Sequence, residues 1–344
     1  MHELGPWSSD SHRMNAVAGK SMSPAIRLRN VTKRFGGVTA VDGVTLTVPE
    51  GSIYGFIGPN GSGKTTTLRM IMHILLPDEG AIEVLGRADG AAARDRVSYL
   101  PEERGLYKTM TVRRLLRYYG RLKGRTIAEL DPQIETWLAR LGLLDWADKK
   151  IETLSKGMSQ KVQFAAAVVS MPSLLILDEP FSGLDPVNAE ALKDAVLEIR
   201  RAGTTVVFST HDMGTAERMC DRIFMIFRGR KVLDGTLAEI QSEYGFDTVR
   251  VRTAAGAASL AGLPGVQTVN DYGQMQEVRL NGDPQQFLRA LASRVAVHHF
   301  EITRPSLHDI FVRIARPERT EEAEGTAQHD RRRNGETETV GVIE

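Results

Sequence analysis

Short β-branched runs alternate along this chain with longer segments whose apolar residues recur at helical spacing. The pattern predicts strands over Ile26 to Thr32, Val44 to Val48, Ile53 to Ile57, Val97 to Leu100, Leu174 to Asp178, Thr205 to Ser209 and Ile223 to Phe227. Helices are predicted from Lys64 to Leu75, Pro132 to Leu141, Lys156 to Ser170 and Pro186 to Arg201, the last with Asp185 as cap and Pro186 in its first turn. Leu174 to Leu177 is apolar without alternation, the pattern of a central parallel strand covered on both faces. The order describes an α/β core ending near Ile240.

Beyond it the texture changes. Ala254 to Gly265 is rich in Ala and Gly, and short segments follow. Thr248 to Arg252, Val266 to Asn270, Glu277 to Leu280 and Val295 to Ile302 read as extended, Pro284 to Ser293 and Ser306 to Ile314 as helical. That order predicts a small α+β appendage over 245–315 with an antiparallel sheet. His298 and His299 are neighbours on one strand and face opposite ways, so they are expected to be solvated or packed rather than metal ligands.

At 344 residues and 42% hydrophobic content the chain can bury a large core plus a smaller one. A formal charge of +1, with no basic stripe carrying interleaved aromatics, argues against nucleic acid as a partner. The single cysteine, Cys220, excludes an internal disulfide framework and is expected to be a small buried apolar side chain. The longest apolar runs fall far short of the roughly 20 residues that span a bilayer, so no membrane-crossing helix is expected. Residues 1–24 lack an apolar segment of the secretory kind and read as a disordered leader, and 316–344 read as a disordered tail.

The chemistry begins after the third predicted strand. Gly58-Pro59-Asn60-Gly61-Ser62-Gly63-Lys64-Thr65 matches GxxxxGK[ST] between a strand and a helix. Its glycines reach backbone angles closed to other residues and let successive N–H groups converge on phosphate oxygens, while the helix start adds its positive dipole end. Lys64 can reach the β- and γ-phosphates, Thr65 supplies a hydroxyl for Mg²⁺, and Thr66 continues the ATP-binding run. Asp178 and Glu179 end a buried strand at the edge where ligands sit in open α/β sheets. Asp178 can hold Mg²⁺ through water, leaving Glu179 to orient the water that attacks the γ-phosphate. Leu154-Ser155-Lys156-Gly157-Met158-Ser159-Gln160 opens the preceding helix with Ser155 at the cap position, a second anion site.

These motifs, with Ser182-Gly183-Leu184-Asp185 and with His211 after the strand Thr205 to Ser209, resemble the nucleotide-binding subunit of ATP-binding cassette transporters over about residues 26 to 240. The resemblance implies a P-loop domain over 25–240 with a mixed sheet and a helical subdomain at about 100–170. It implies two cassettes stacked head to tail, each ATP held between one subunit's phosphate loop and the other's signature helix. Ser155, Lys156, Gly157 and Gln160 would then serve the ATP of the partner subunit, Asp185 would communicate across the interface, His211 would hold the γ-phosphate and the water, and Phe35 would stack on adenine.

Two departures stand out. The family signature is similar to LSGGQ, where this chain has Lys156 and Met158 in place of a glycine and the glutamine. Where the family commonly has a glutamine near the metal, this chain has Glu102, a hard oxygen donor that keeps metal binding open but lacks an amide N–H₂. The segment Tyr99 to Tyr107 and the stretch Arg304 to Phe311 resemble ATPase subunits of bacterial sodium or drug exporters. The reading is therefore a Mg²⁺-dependent ATPase that dimerises, as a homodimer or heterodimer, around ATP. It would power a separate transmembrane permease from the cytoplasmic face of the membrane. The rival is a soluble cassette ATPase outside transport, and one cassette without zinc-binding cysteines or a basic surface argues against it.

Overall fold

The computed structural model describes residues 24–315, apart from 89, 103–104 and 246–247. The expected tail, and the expected leader up to Pro24, lie outside the described residues. The chain forms two compact units. One comprises the described residues up to Tyr54, Gly63–Ser209 and Arg228–Arg230; the other comprises Gly55–Ser62, Thr210–Phe227 and the residues from Lys231 on.

The first unit carries β1 (Pro24–Phe35), β2 (Val38–Pro49), the start of β3 (Ile53–Ile57), α1 (Lys64–Ile71), β4 (Glu79–Val84) and β5 (Val97–Leu100). It continues with α2 (Val112–Leu122), α3 (Ile127–Arg140), α4 (Lys156–Val168), β6 (Leu174–Asp178), α5 (Pro186–Arg201) and β7 (Thr205–Thr210). β1 lies between β2 and β4, antiparallel to both, with Leu28 opposite Leu46 on one side and Ile82 on the other. A second sheet runs β5-β6-β7-β3. β5, β6 and β7 are parallel, and every residue of β6 and β7 is buried, as the unbroken apolar run predicts. In this register Ile176 sits between Tyr99 and Val207, and Asp178 lies beside Ser209.

The helices of the first unit differ from the sequence expectation in three places. α2 is an additional helix in an arginine-rich stretch, capped where Thr111 Oγ1 accepts the Arg114 N–H at 3.4 Å. Its apolar residues Val112, Leu115 and Leu116 are buried, and Gly120 lies so close to α3 that a Cβ there would sit 2.2 Å from a Leu130 methyl. Arg117 grips Asp131 through two 2.7 Å bonds across the same crossing. α3 starts at Ile127 rather than Pro132, because Thr126 and Glu129 form a reciprocal capping box upstream of the proline. Pro132 then forfeits only one bond, in the second turn of a helix already nucleated. α1 is shorter than expected, capped at Met72 and followed by His73 at φ +53°.

The second unit carries the end of β3, α6 (Met213–Met219), β8 (Arg222–Phe227), β9 (Arg230–Gly235) and α7 (Leu237–Glu243). β10 (Thr248–Thr253), β11 (Val266–Asp271), β12 (Gln276–Leu280), α8 (Pro284–Ala292), β13 (Val297–Thr303) and α9 (Leu307–Ala315) follow. Its strand order from β3 is β3-β8-β9. The appendage forms an antiparallel sheet in the order β11-β12-β10-β13, with Val249, Val251, Val278 and Leu280 against Phe287 and Leu291 of α8. His298 is exposed and His299 lies 3.5 Å from Glu301. Among the described residues no three His, Cys, Asp or Glu side chains group as a metal site. Cys220 packs against Gly55, where a Cβ would meet its Sγ at 2.5 Å, and burial pushes its thiol above the ordinary range.

The last helix does not share the core of the appendage sheet. Leu307 and Ile310 of α9 are fully buried with Ile57, Ala216, Ile223, Met225 and Ile240. Phe311 meets Phe227 edge-on at 5.5 Å. The Leu307 N–H donates to Glu217 Oε1 at 2.5 Å, and the Gln241 amide donates to the Pro305 carbonyl at 3.0 Å. α9 thus packs on α6, β8 and α7 from a distance in sequence. Leu307→Ala is expected to lower unfolding stability by about 2–5 kcal/mol, whereas Ile302→Ala, 41% exposed, should cost under about 1 kcal/mol. Denaturant unfolding of both full-length variants checks this, and equal small losses would contradict the packing role of α9.

Candidate functional site

Backbone geometry explains the glycines of the phosphate loop. In the second unit Gly58 has φ +152° and Gly61 φ +75°, and the Ser62 N–H donates to the Pro59 carbonyl at 3.2 Å. A Cβ on Gly58 would lie 2.2 Å from the Ile226 carbonyl oxygen and 2.8 Å from Ser62 Oγ, so the loop closes on itself only with glycine there. Ser62 Oγ is buried with no hydrogen-bond partner among the described residues. A cradle that a methyl would fill, with an unsatisfied hydroxyl inside it, suits a phosphate oxygen. Pro59 is half-buried and Asn60 exposed. His211 is exposed directly after β7, and Asp212 caps α6 by accepting the Thr215 N–H at 3.1 Å.

In the first unit Gly63, at φ +108°, opens α1 and aims Lys64 and Thr65 at the end of β6; Thr66 is half-buried. Lys64 Nζ lies 3.5 Å from Glu179 Oε1, both side chains less than a tenth exposed. Asp178 accepts on both oxygens. Oδ1 takes the Ser209 hydroxyl at 2.6 Å and the Thr65 hydroxyl at 3.2 Å, and Oδ2 takes the Tyr99 hydroxyl at 3.3 Å. Burial, then the Asp178 charge, pushes the Tyr99 phenol up to about 12, so it stays a donor at neutral pH. Glu179 sits in the left-handed region at φ +49°, with its N–H donated to Ser209 Oγ at 2.9 Å. Asp178 and Glu179 also line a cavity of about 370 Å³ with Glu102, Lys156, Gln160 and Ser182.

The Thr65 hydroxyl beside the Asp178 carboxylate is a hard-oxygen donor set that fits Mg²⁺, an ion that leans on one or two protein oxygens, substrate phosphates and water. Glu102 is exposed at the cavity.

Ser155 caps α4, its Oγ accepting the Met158 N–H at 3.2 Å, and Ser155 and Lys156 are exposed. A Cβ on Gly157 would lie 2.9 Å from Asn188 Nδ2, so this glycine lets the start of α5 approach α4. Gln160, expected to serve a partner-bound nucleotide, lines the cavity of the two carboxylates from α4. It is buried, and its amide donates to the Pro180 carbonyl, bracing the segment after β6. Asp185 is exposed and caps α5 through the Asn188 N–H at 3.0 Å. Bonds from the Asn188 backbone and side chain hold its carboxyl below the usual range. Phe35 is exposed, with the Lys33 ammonium 5.6 Å from its ring centre. Phe35, Ser155 and Asp185 do not line the cavity of the two carboxylates. Sequence reasoning missed the roles of Ser209 and Tyr99. The available signal was a hydroxyl in the last two residues of each predicted strand flanking the Asp178 strand.

Residues 41–182 match the model of the ABC transporter family, and residues 235–315 match that of the C-terminal domain of ATP-binding proteins like DrrA1-3. An uncharacterized ABC transporter ATP-binding protein of Bacillus subtilis, YhaQ, is 40% identical over 289 residues, which span 83% of this chain and 97% of the relative. The daunorubicin/doxorubicin resistance ATP-binding protein DrrA of Streptomyces peucetius is 34% identical, covering 84% of this chain and 92% of its own. A solved ATP-binding subunit of an ABC transporter superposes with a TM-score of 0.61 at 33% identity, covering 64% of this chain and 93% of the other.

Gly58 and Gly61 separate strain from space. At Gly61 nothing lies within 4 Å of an added Cβ, so Gly61→Ala should cost only about 1–2 kcal/mol for its positive φ. Gly58→Ala adds a clash with backbone and should be the more destabilising in denaturant unfolding; equal losses would contradict the closed loop.

Proposed function

The chain belongs to the ABC transporter family as an ATP-binding subunit with ATPase activity, and from that premise we propose that it hydrolyses MgATP at sites shared between two subunits and so drives a separate export permease. The observation that carries this is the meeting of Lys64 and Thr65, from the start of α1, with Asp178 and Glu179, from the end of β6. A cation and a helix start stand beside one carboxylate suited to metal and another suited to water.

Lys64 is already engaged with Glu179 at 3.5 Å. A γ-phosphate reaching the Lys64 ammonium competes for it and frees the Glu179 carboxylate to take a proton from water, so substrate arrival itself readies the base. Thr65 and Asp178 would hold Mg²⁺, which neutralises phosphate charge when bound, and Glu102 is a further oxygen within reach of the same cavity. His211 would hold the γ-phosphate, and exposed Phe35 offers a ring to adenine.

The exposed start of α4, with Ser155, Lys156 and Gly157, serves the phosphate bound by the second subunit, and Asp185 lies at that interface. Whether that second subunit is an identical copy or a related chain, the geometry asked of it is the same. No helix among the described residues is long and apolar enough to cross a membrane. In this reading, which rests on membership of the transporter family, the cargo passes through a partner permease and the chain acts at the cytoplasmic face of the membrane. Likeness to a drug-resistance ATP-binding protein supports export of a drug-like solute.

Glu179→Gln is expected to bind ATP with affinity near that of the wild type while hydrolysis falls by about 10²–10⁴-fold, the usual contribution of a positioned general base. Equilibrium nucleotide binding and steady-state phosphate release check this, and wild-type turnover in the variant would remove Glu179 from the chemistry.

A further inference from the structure

We infer that Ser209 is a positioning residue for both carboxylates of the site, setting Asp178 for the metal and Glu179 for the water; the inference rests on the ATPase reading above. Ser209 occupies the position in β7 directly beside Asp178 in the parallel register, and it is completely buried. A hydroxyl has one proton to give and two lone pairs to offer. The Glu179 backbone N–H can only donate, so Ser209 Oγ accepts it, at 2.9 Å. The hydroxyl proton is then directed to Asp178 Oδ1, at 2.6 Å, the shortest contact to that carboxylate.

Two functions follow from this one side chain. The bond to Oδ1 fixes the rotation of the Asp178 carboxylate, with Thr65 sharing the same oxygen at 3.2 Å and Tyr99 on the other at 3.3 Å. The bond from the Glu179 N–H holds Glu179 in a left-handed backbone conformation, φ +49°, that non-glycine residues adopt reluctantly. That conformation sends the Glu179 side chain to within 3.5 Å of Lys64. An apolar residue at 209 would remove the partner of a buried N–H and a donor to a buried carboxylate together. Ser209 touches no reacting atom itself; it acts through Asp178 and Glu179.

The test uses the full-length chain and its Ser209→Ala variant, with ATP affinity measured in excess Mg²⁺ and in EDTA, and with kcat and KM for hydrolysis. Loss of an outer-shell partner of a metal ligand typically costs 10–100-fold in metal affinity or activity, so the Mg²⁺-linked gain in ATP affinity or kcat should fall by about that factor, with metal-free affinity within about twofold. Ser209→Thr, which keeps the hydroxyl, should recover most of the loss. Unchanged Mg²⁺ linkage and kcat in Ser209→Ala would overturn the inference, and so would an equal loss of metal-free binding, which marks a merely structural role. Should the alanine variant fail to fold, Ser209→Cys fills the same space while weakening both bonds, and wild-type values in it would likewise overturn the inference. A wild-type chain that bound no ATP in either condition would overturn the ATPase reading and this inference with it.

Discussion

Asp178 is 1% exposed and Glu179 8%, and a carboxylate taken that far out of water costs several kcal/mol unless charge and hydrogen bonds answer it. The answers come from three separate places in the chain. Lys64 and Thr65 arrive on α1, Tyr99 on β5 and Ser209 on β7. Each reaches the end of β6 because parallel pairing brings the carboxyl ends of neighbouring strands to one edge, and because α1 opens at Gly63 with Lys64 and Thr65 facing that edge. A structure that answers those two acids has thereby placed a cation, three hydroxyls and two carboxylates within one small volume. The stability problem and the proposed catalytic arrangement have one solution.

The same economy appears in the helices around the site. Ser155 and Asp185 each cap a helix, so their side chains are held by backbone N–H groups while the helix starts remain exposed. Gly157 admits Asn188, and buried Gln160 ties α4 to the segment after β6. These contacts join the start of α4 to the segment after β6. Position of the helix start relative to the segment after β6 is thereby set within the chain, which is what the proposed site shared between subunits requires. In the second unit, α9 performs a comparable task by burying Leu307 and Ile310 with residues of β3, α6 and β8, so the end of the appendage stabilises the part of the chain that carries the phosphate loop.

What was legible in the sequence was what a local pattern can carry. The strand-loop-helix around Lys64, the unbroken apolar run before Asp178 and the alternating strands of the appendage all appear where spacing predicts them. α2 escaped because its arginines break the apolar period, leaving Val112, Leu115 and Leu116 as a narrow stripe whose support is tertiary, against Leu130 and Asp131. Pro132 was read as a helix start because a proline there fits one, but the Thr126–Glu129 box is the stronger nucleus. The hydroxyl cage on Asp178 was invisible for a different reason. Which residue of β7 sits beside Asp178 depends on cross-strand register, and no window of a single strand contains that information. The bracing of Gln160 was equally out of reach, because its bond to the Pro180 carbonyl joins segments 20 residues apart.

The central claim is that each ATP is held by the phosphate loop of one subunit and the α4 start of the other. Mixing a Lys64→Ala chain with a Ser155→Arg chain tests it most directly, since the mixed dimer then contains one wholly intact site and one doubly broken site. With subunit exchange verified independently, ATP-dependent dimerisation of the mixture should exceed that of either variant alone. Dimerisation equal to the average of the two variants would contradict the shared site and leave Ser155 as no more than the cap of its helix.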